Sequence, residues 1–179
     1  MNICEFLKRN AAVSLAIHFL VLGCVKNNLR SEDLSSHWRP LTAHEVHGKW
    51  RENYPGHALE VIADFNGDGV SDEARLYVKQ GESTIALFVL FDAIKKTRPK
   101  TVFVEQFEKV PIQEIGIASV PPGIYTTACG KGHSRCAPGE KESVELKDAG
   151  IEFFLFESSH ILYYWDHRTE RFDKVWLSD

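Results

Sequence analysis

The chain has 179 residues with 21 Lys and Arg, 25 Asp and Glu, 8 His and 4 Cys, a formal net charge of −4 and 44% hydrophobic residues. This mildly acidic balance argues against a nucleic-acid partner, which would need a clustered basic face. The length suits one domain with an adequate core, and no low-complexity block interrupts it.

At the N-terminus, Lys8 and Arg9 precede an apolar run from Ala11 to Leu22, broken only by Ser14 and His18 and closed by Gly23-Cys24. The run is too short to span a bilayer and reads as a cleavable export signal. Left uncleaved, it would hold His18 in hydrocarbon, where an ionisable group is costly. Its end, Val21-Leu22-Gly23-Cys24, resembles the lipobox of bacterial lipoproteins. That resemblance implies a signal peptide over residues 1–23 and acylation of Cys24 as the first mature residue. With Val25 rather than Asp next to it, it also implies the outer membrane, facing the periplasm. Residues 24–40, with Ser31, Glu32, Asp33, Ser35 and Ser36 clustered, read as a flexible tether between lipid and domain. The folded domain is expected over 41–179.

Thr42 to Asn53 is expected to form a short helix, with Thr42 as N-cap, Glu45 three residues on as in a capping box, and Val46 and Trp50 on one face. His44 and His47 flank that stripe. Two histidines at this spacing can share a metal, but no acid is suitably spaced to join them, so they read as an exposed face.

The most informative stretch follows: Asp64-Phe65-Asn66-Gly67-Asp68-Gly69-Val70-Ser71-Asp72. Oxygen ligands at loop positions 1, 3 and 5, a backbone carbonyl at 7 and an acid at 9 are how a loop wraps a calcium ion. Asp64, Asn66, Asp68, Val70 and Asp72 fit that order, with Gly69 at the sharp bend. An EF-hand would need Glu at position 12 and a helix on each side; Arg75 stands there, and both flanks read as strands. Asn-Gly and Asp-Gly also favour ordinary hairpin turns, but a turn alone does not require acids at both Asp64 and Asp72. The segment Ala63 to Val78, ADFNGDGVSDEARLYV, resembles the calcium loop of FG-GAP or VCBS-type repeats. No second D-x-N-x-D-G occurs, so a multi-blade propeller is not implied.

From Leu59 onward the pattern is mostly strand: Leu59–Asp64, Glu73–Lys79, Thr84–Phe91, Thr101–Phe107, Ile115–Val120, Ile124–Ala128, Ser143–Leu146, Ile151–Glu157, Ile161–Trp165 and Lys174–Leu177. Strands this short, divided by turns, predict a mainly β fold: a single antiparallel sandwich or barrel-like domain with one short N-terminal helix. Ala93 to Lys96 reads as a helical turn, and Pro121-Pro122-Gly123 as a corner. The aromatic hairpin from Tyr163 to Trp176 reads as core and cross-strand packing rather than a ligand cage.

Cys4 leaves with the signal and Cys24 takes lipid, which leaves Cys129 and Cys136 to pair as a disulfide in an oxidising envelope. Zinc is the rival, but one His133 between two cysteines lacks the usual ligand spacing. The closed loop carries Lys131, His133 and Arg135, suited to an acidic partner or simply to a solvated turn. No catalytic motif such as G-x-S-x-G, H-E-x-x-H, a Walker loop or a dinucleotide fingerprint occurs. Glu105, Glu108, Glu157 and Asp166 offer carboxylates without a readable separation, and neighbours such as Ser159 and His160 point to opposite faces of a strand. The expectation is a non-enzymatic, lipid-anchored envelope protein with structural Ca2+. It would bind a protein or wall polymer, as an inhibitor or immunity protein does. A calcium-dependent envelope hydrolase is the alternative.

Overall fold

The computed structural model describes Leu34, residues 37–46, 48–53, 58–93, Lys95 and residues 99–178. The signal segment 1–23, Cys4, Cys24 and His47 lie outside the described residues. Of the described residues, 50% are strand and 4% helical, arranged as antiparallel sheets in a sandwich, with no closed barrel among them.

In chain order the strands are β1 (Trp38–Pro40), β2 (Glu60–Ala63), β3 (Asp72–Lys79), β4 (Ile85–Phe91), β5 (Lys100–Phe107), β6 (Ile115–Val120), β7 (Gly123–Thr126), β8 (Ser143–Leu146), β9 (Gly150–Leu155), β10 (Ser159–Asp166) and β11 (Arg171–Ser178). The first sheet has the order β1-β3-β4-β5, with β2 also paired to β3; the second has the order β11-β10-β9-β6. Among the described residues, β7 and β8 form a separate two-stranded sheet. The Pro121-Pro122 stretch separates β6 from β7, where the chain leaves one sheet for another, as expected of residues that withhold ladder donors.

Both sheets feed one core. Leu76, Ile85, Leu87 and Val89 of the first pack with Ile115, Ile117, Ile151, Phe153, Ile161 and Tyr163 of the second. The sheets are stitched on one side by Ala58 and Ile117, which exchange two N–H···O bonds of 2.8 Å. On the other side Lys174 on β11 reaches Glu105 on β5 at 2.7 Å. β4, Ile-Ala-Leu-Phe-Val-Leu-Phe, is buried at six of its seven positions because it is covered on both faces, which its unbroken apolar run permits. Its outward Ala86 and Phe88 join Tyr77, Leu34, Trp38 and Phe103 in a second cluster. The β7–β8 hairpin lays Val144 and Leu146 over Leu162 on the outer face of the second sheet.

Two expectations need correction. The Thr42–Asn53 helix is interrupted: a 3-10 turn spans Ala43–Glu45 and one α-helical turn, α1, spans Trp50–Asn53. Gly48 lies between them, packed so closely on the Trp50 indole and the Gln113 carbonyl that a Cβ would overlap them. Glu45 Oε2 accepts from the Thr42 N–H at 3.1 Å and from its hydroxyl at 2.7 Å, and Glu45 also pairs with Arg39. The capping interaction therefore closes a single turn instead of starting a long helix. The second correction concerns 24–40, read as a tether: its last residues form β1, registered Trp38 to Lys79 through Pro40 to Tyr77. Trp38 packs edge-on to Phe88 at 5.5 Å, and Leu34 is buried beside it. Two large apolar side chains outweigh the polar composition around them.

Candidate metal centre

The hairpin between β2 and β3 is the loop singled out by its acids. It is organised around the Asp64 carboxylate: Oδ1 accepts the N–H of Gly67 at 2.8 Å and of Asp68 at 3.2 Å, and Oδ2 that of Gly69 at 2.8 Å. Asn66 Oδ1 accepts from Asp68 N at 3.0 Å, Asn66 Nδ2 donates to Asp68 Oδ2 at 3.1 Å, and Asp68 Oδ1 accepts from Val70 N at 2.8 Å. Gly67 and Gly69 have φ of 72° and 80°, the left-handed region that lets the chain curl so tightly.

The loop is fixed at its base by two buried residues. Phe65 is fully buried in the sandwich core. Asp72, also fully buried, accepts the Phe65 N–H through Oδ2 and the Asp92 N–H through Oδ1, each at 3.0 Å. Burial pushes the Asp72 pKa up; the two N–H groups pull it back, and the negative charges of Asp68 and Asp64 add to the rise. Just beyond the loop, Arg75 pairs with Glu60 and, at 3.1 Å, with Glu73.

The donor set suits a hard cation, since every side-chain ligand is an oxygen. A cation there would also relieve the like-charge pressure on Asp72. Asp72 serves a second purpose, however, as the acceptor that ties the hairpin to the Asp92 turn. Among the described residues, the only three His, Cys, Asp or Glu side chains whose ligand atoms lie within 4.8 Å of one another are Cys129, Cys136 and Glu140. Asp64, Asp68 and Asp72 are thus neighbours without being that closely gathered.

One contact was not legible in the sequence. Asp148, between β8 and β9, lies against Gly67 so tightly that a Cβ there would overlap its carboxylate. Its Oδ2 is 2.5 Å from His167 Nε2. Asp148, His167, Lys147, Tyr164 and Asp166 line a cleft of about 360 Å3 at this end of the sandwich. No spacing rule links Asp148 to the loop, because only the packing of the two sheets brings them together.

The remaining predicted residues are dispersed. Cys129 and Cys136 stand at disulfide distance, Sγ–Sγ 2.04 Å and Cα–Cα 4.9 Å. Of the loop they close, His133 and Arg135 are exposed, whereas Lys131 Nζ folds back to donate to the Leu177 carbonyl at 2.9 Å. His44 is exposed on the 3-10 turn. Glu105 accepts from the Tyr163 hydroxyl at 2.9 Å and from Lys174; burial first, then the Glu105 charge, pushes the Tyr163 pKa far up. Asp166 accepts from Arg168 N and Thr169 Oγ1, each at 2.9 Å, and these bonds hold its pKa down. His160 Nδ1 lies 2.6 Å from Glu152 Oε1. No helix among the described residues is long and apolar enough to cross a membrane. No family model, curated protein or solved structure matches the chain.

Proposed function

We propose that this protein is a lipid-anchored bacterial envelope module, acting by binding a protein or wall polymer, in which one Ca2+ held by the β2–β3 hairpin stabilises the fold. The observation that carries the calcium reading is the loop around Asp64, three of whose backbone N–H groups converge on one carboxylate within a D-x-N-x-D-G-x-x-D sequence. Those bonds fix the shape of the loop, and the side-chain oxygens of Asp64, Asn66, Asp68 and Asp72, with the Val70 carbonyl, are the ligands that a cation preferring oxygen would take there in exchange for N–H donors. The anchor reading rests on the resemblance of Val21-Leu22-Gly23-Cys24 to a lipobox. Binding through the exposed His133 and Arg135 of the Cys129–Cys136 loop is the most specific form of the interaction reading, because a closed loop loses less entropy on docking.

Calorimetric titration of the chelator-stripped protein with Ca2+ tests the metal, with one saturable site expected. Absence of binding heat together with unchanged thermal unfolding rejects it. The calcium-dependent hydrolase remains the second reading, favoured by the Asp148–His167 pair lining a cleft beside the loop. Release of fragments from purified envelope polymers, dependent on Ca2+ and lost in His167→Ala, would support it; equal release by His167→Ala would reject it.

A further inference from the structure

The disulfide loop carries a feature that neither the anchor nor the calcium reading uses. Glu140, on the exposed turn after Cys136, brings a carboxylate oxygen within 4.8 Å of both sulfurs. Its position is not accidental to the local fold. Glu140 Oε2 accepts the Ala137 N–H at 2.8 Å, and Glu140 N donates to the Ala137 carbonyl at 2.9 Å, so the side chain is held over the cysteines by its own turn. Thr127 Oγ1 lies 3.5 Å from Cys129 Sγ, and the Lys141 carbonyl 3.8 Å from it. Cys129 is buried and Cys136 half-buried, so one sulfur is fixed and the other has room to turn.

We propose that Cys129, Cys136 and Glu140 form a zinc site when the disulfide is reduced, so that the loop has two exclusive closed states, one sulfur-bonded and one metal-bonded. Two thiolates and a carboxylate are three of the four ligands that tetrahedral zinc takes, at about 2.3 Å for sulfur and about 2.0–2.2 Å for oxygen. The fourth position falls to water or to His133, which the same loop exposes. The cysteines need little backbone movement, because their Cα atoms are already 4.9 Å apart. Opening the S–S bond requires two electrons and two protons. A dithiol supplies both, becoming a disulfide as Cys129 and Cys136 become thiols; zinc then displaces the two thiol protons. Calcium does not compete here, since it takes oxygen ligands while thiolate selects softer ions.

The test uses the whole chain with Cys4→Ser and Cys24→Ser, so that only the loop thiols remain. Protein reduced with a water-soluble phosphine, then freed of it without oxygen, is titrated with Co2+ as a spectroscopic substitute for zinc, and zinc is added afterwards to displace it. The expected result is thiolate-to-cobalt charge transfer with tetrahedral visible bands at one equivalent, bleached by zinc, and neither in the oxidised protein. Glu140→Gln should weaken cobalt by about tenfold or more while leaving the oxidised protein's disulfide and unfolding unchanged. Asp68→Ala, in the calcium loop, should leave the cobalt bands unaltered, so failure of the calcium reading does not bear on this one. Absence of thiolate bands in the reduced protein overturns the proposal, as does undiminished affinity in Glu140→Gln. Loss of the β-sheet circular dichroism on reduction overturns it too, since the ligands would then have no scaffold.

Discussion

Removing the Asp68 carboxylate should separate what an ion does in the β2–β3 loop from what the backbone does without one. Asp68 accepts one N–H from Val70 and one from Asn66, and it is exposed. Water can replace such bonds, so in chelator Asp68→Ala should cost about 1 kcal/mol or less. Calcium at a hundredfold excess over its dissociation constant adds about 2.7 kcal/mol to the folded state, and in a domain of this size that raises Tm by roughly 6–10 °C. Asp68→Ala should lose nearly all of that rise. Asp72→Ala should behave differently, because it strands the N–H groups of Phe65 and Asp92 at a buried position. At about 1–3 kcal/mol for each unsatisfied donor, it should cost roughly 2–6 kcal/mol even in chelator, with the calcium increment lost in addition. Differential scanning calorimetry of the three proteins, in calcium and in chelator, distinguishes the roles. Superimposable wild-type curves would refute the metal. A full calcium increment in Asp68→Ala would move the ion elsewhere, and an Asp72→Ala loss no larger than that of Asp68→Ala would refute the buried-anchor argument.

Other changes probe separate parts of the molecule. Gly69→Ala meets open space and should lose only the left-handed penalty of about 1–2 kcal/mol, whereas Gly67→Ala must also push Asp148 off His167 and should cost about 1–3 kcal/mol more; equal urea midpoints would argue against the Asp148 contact. Glu45, held by hydrogen bonds from Arg39 first and then Thr42, should titrate at about 2 by carboxyl NMR instead of near the ordinary glutamate value of 4.5. Because the folded pKa is lowered, whatever stability the pair contributes is fully present above 4.5 and is lost as pH falls through about 2; Arg39→Met should return the midpoint upward. Intact-mass analysis of membrane-extracted protein should show Cys24 acylated, and an unmodified thiol there would end the anchor reading. Replacing Cys129 and Cys136 by serine should cost about 2–3 kcal/mol while the near-ultraviolet signal of the aromatic core persists; global unfolding would show that the loop supports more than itself.

Strand positions were readable where one face is wet and the other dry. β3 shows it: Asp72, Ala74, Leu76 and Val78 point inward, while Glu73 and Arg75 are only half-buried on the other face. The sequence says less where polar composition hides a docking residue, as with Leu34 and Trp38 in a serine-rich stretch, or where one glycine interrupts a helical pattern, as at Gly48. β11 begins at Arg171, three residues before the expected Lys174, because the turn closes through Glu170 N to the Asp166 carbonyl and lets pairing start at Asp166 with Arg171. A turn of that kind depends on backbone angles, here a φ of 51° at Glu170, that no propensity assigns to glutamate.

The same distinction governs the sites. The acid loop was legible because its groups lie within nine consecutive residues, and the geometry of one turn decides their spacing. Cys129 and Cys136 were legible as a pair for the same reason, being seven positions apart. Asp148 meets the loop, and His167 meets Asp148, only once the two sheets have packed, so their positions are set by register and not by spacing. Glu140 is intermediate, since it stands four positions after Cys136, but its carboxylate faces the sulfurs only because the Ala137 N–H holds it there. If a partner or substrate engages this domain, the groups that reach it at the loop end are of the second kind. Substitutions at Asp148 and His167 should therefore alter recognition without touching the D-x-N-x-D-G-x-x-D sequence, and comparison of that sequence alone would miss them.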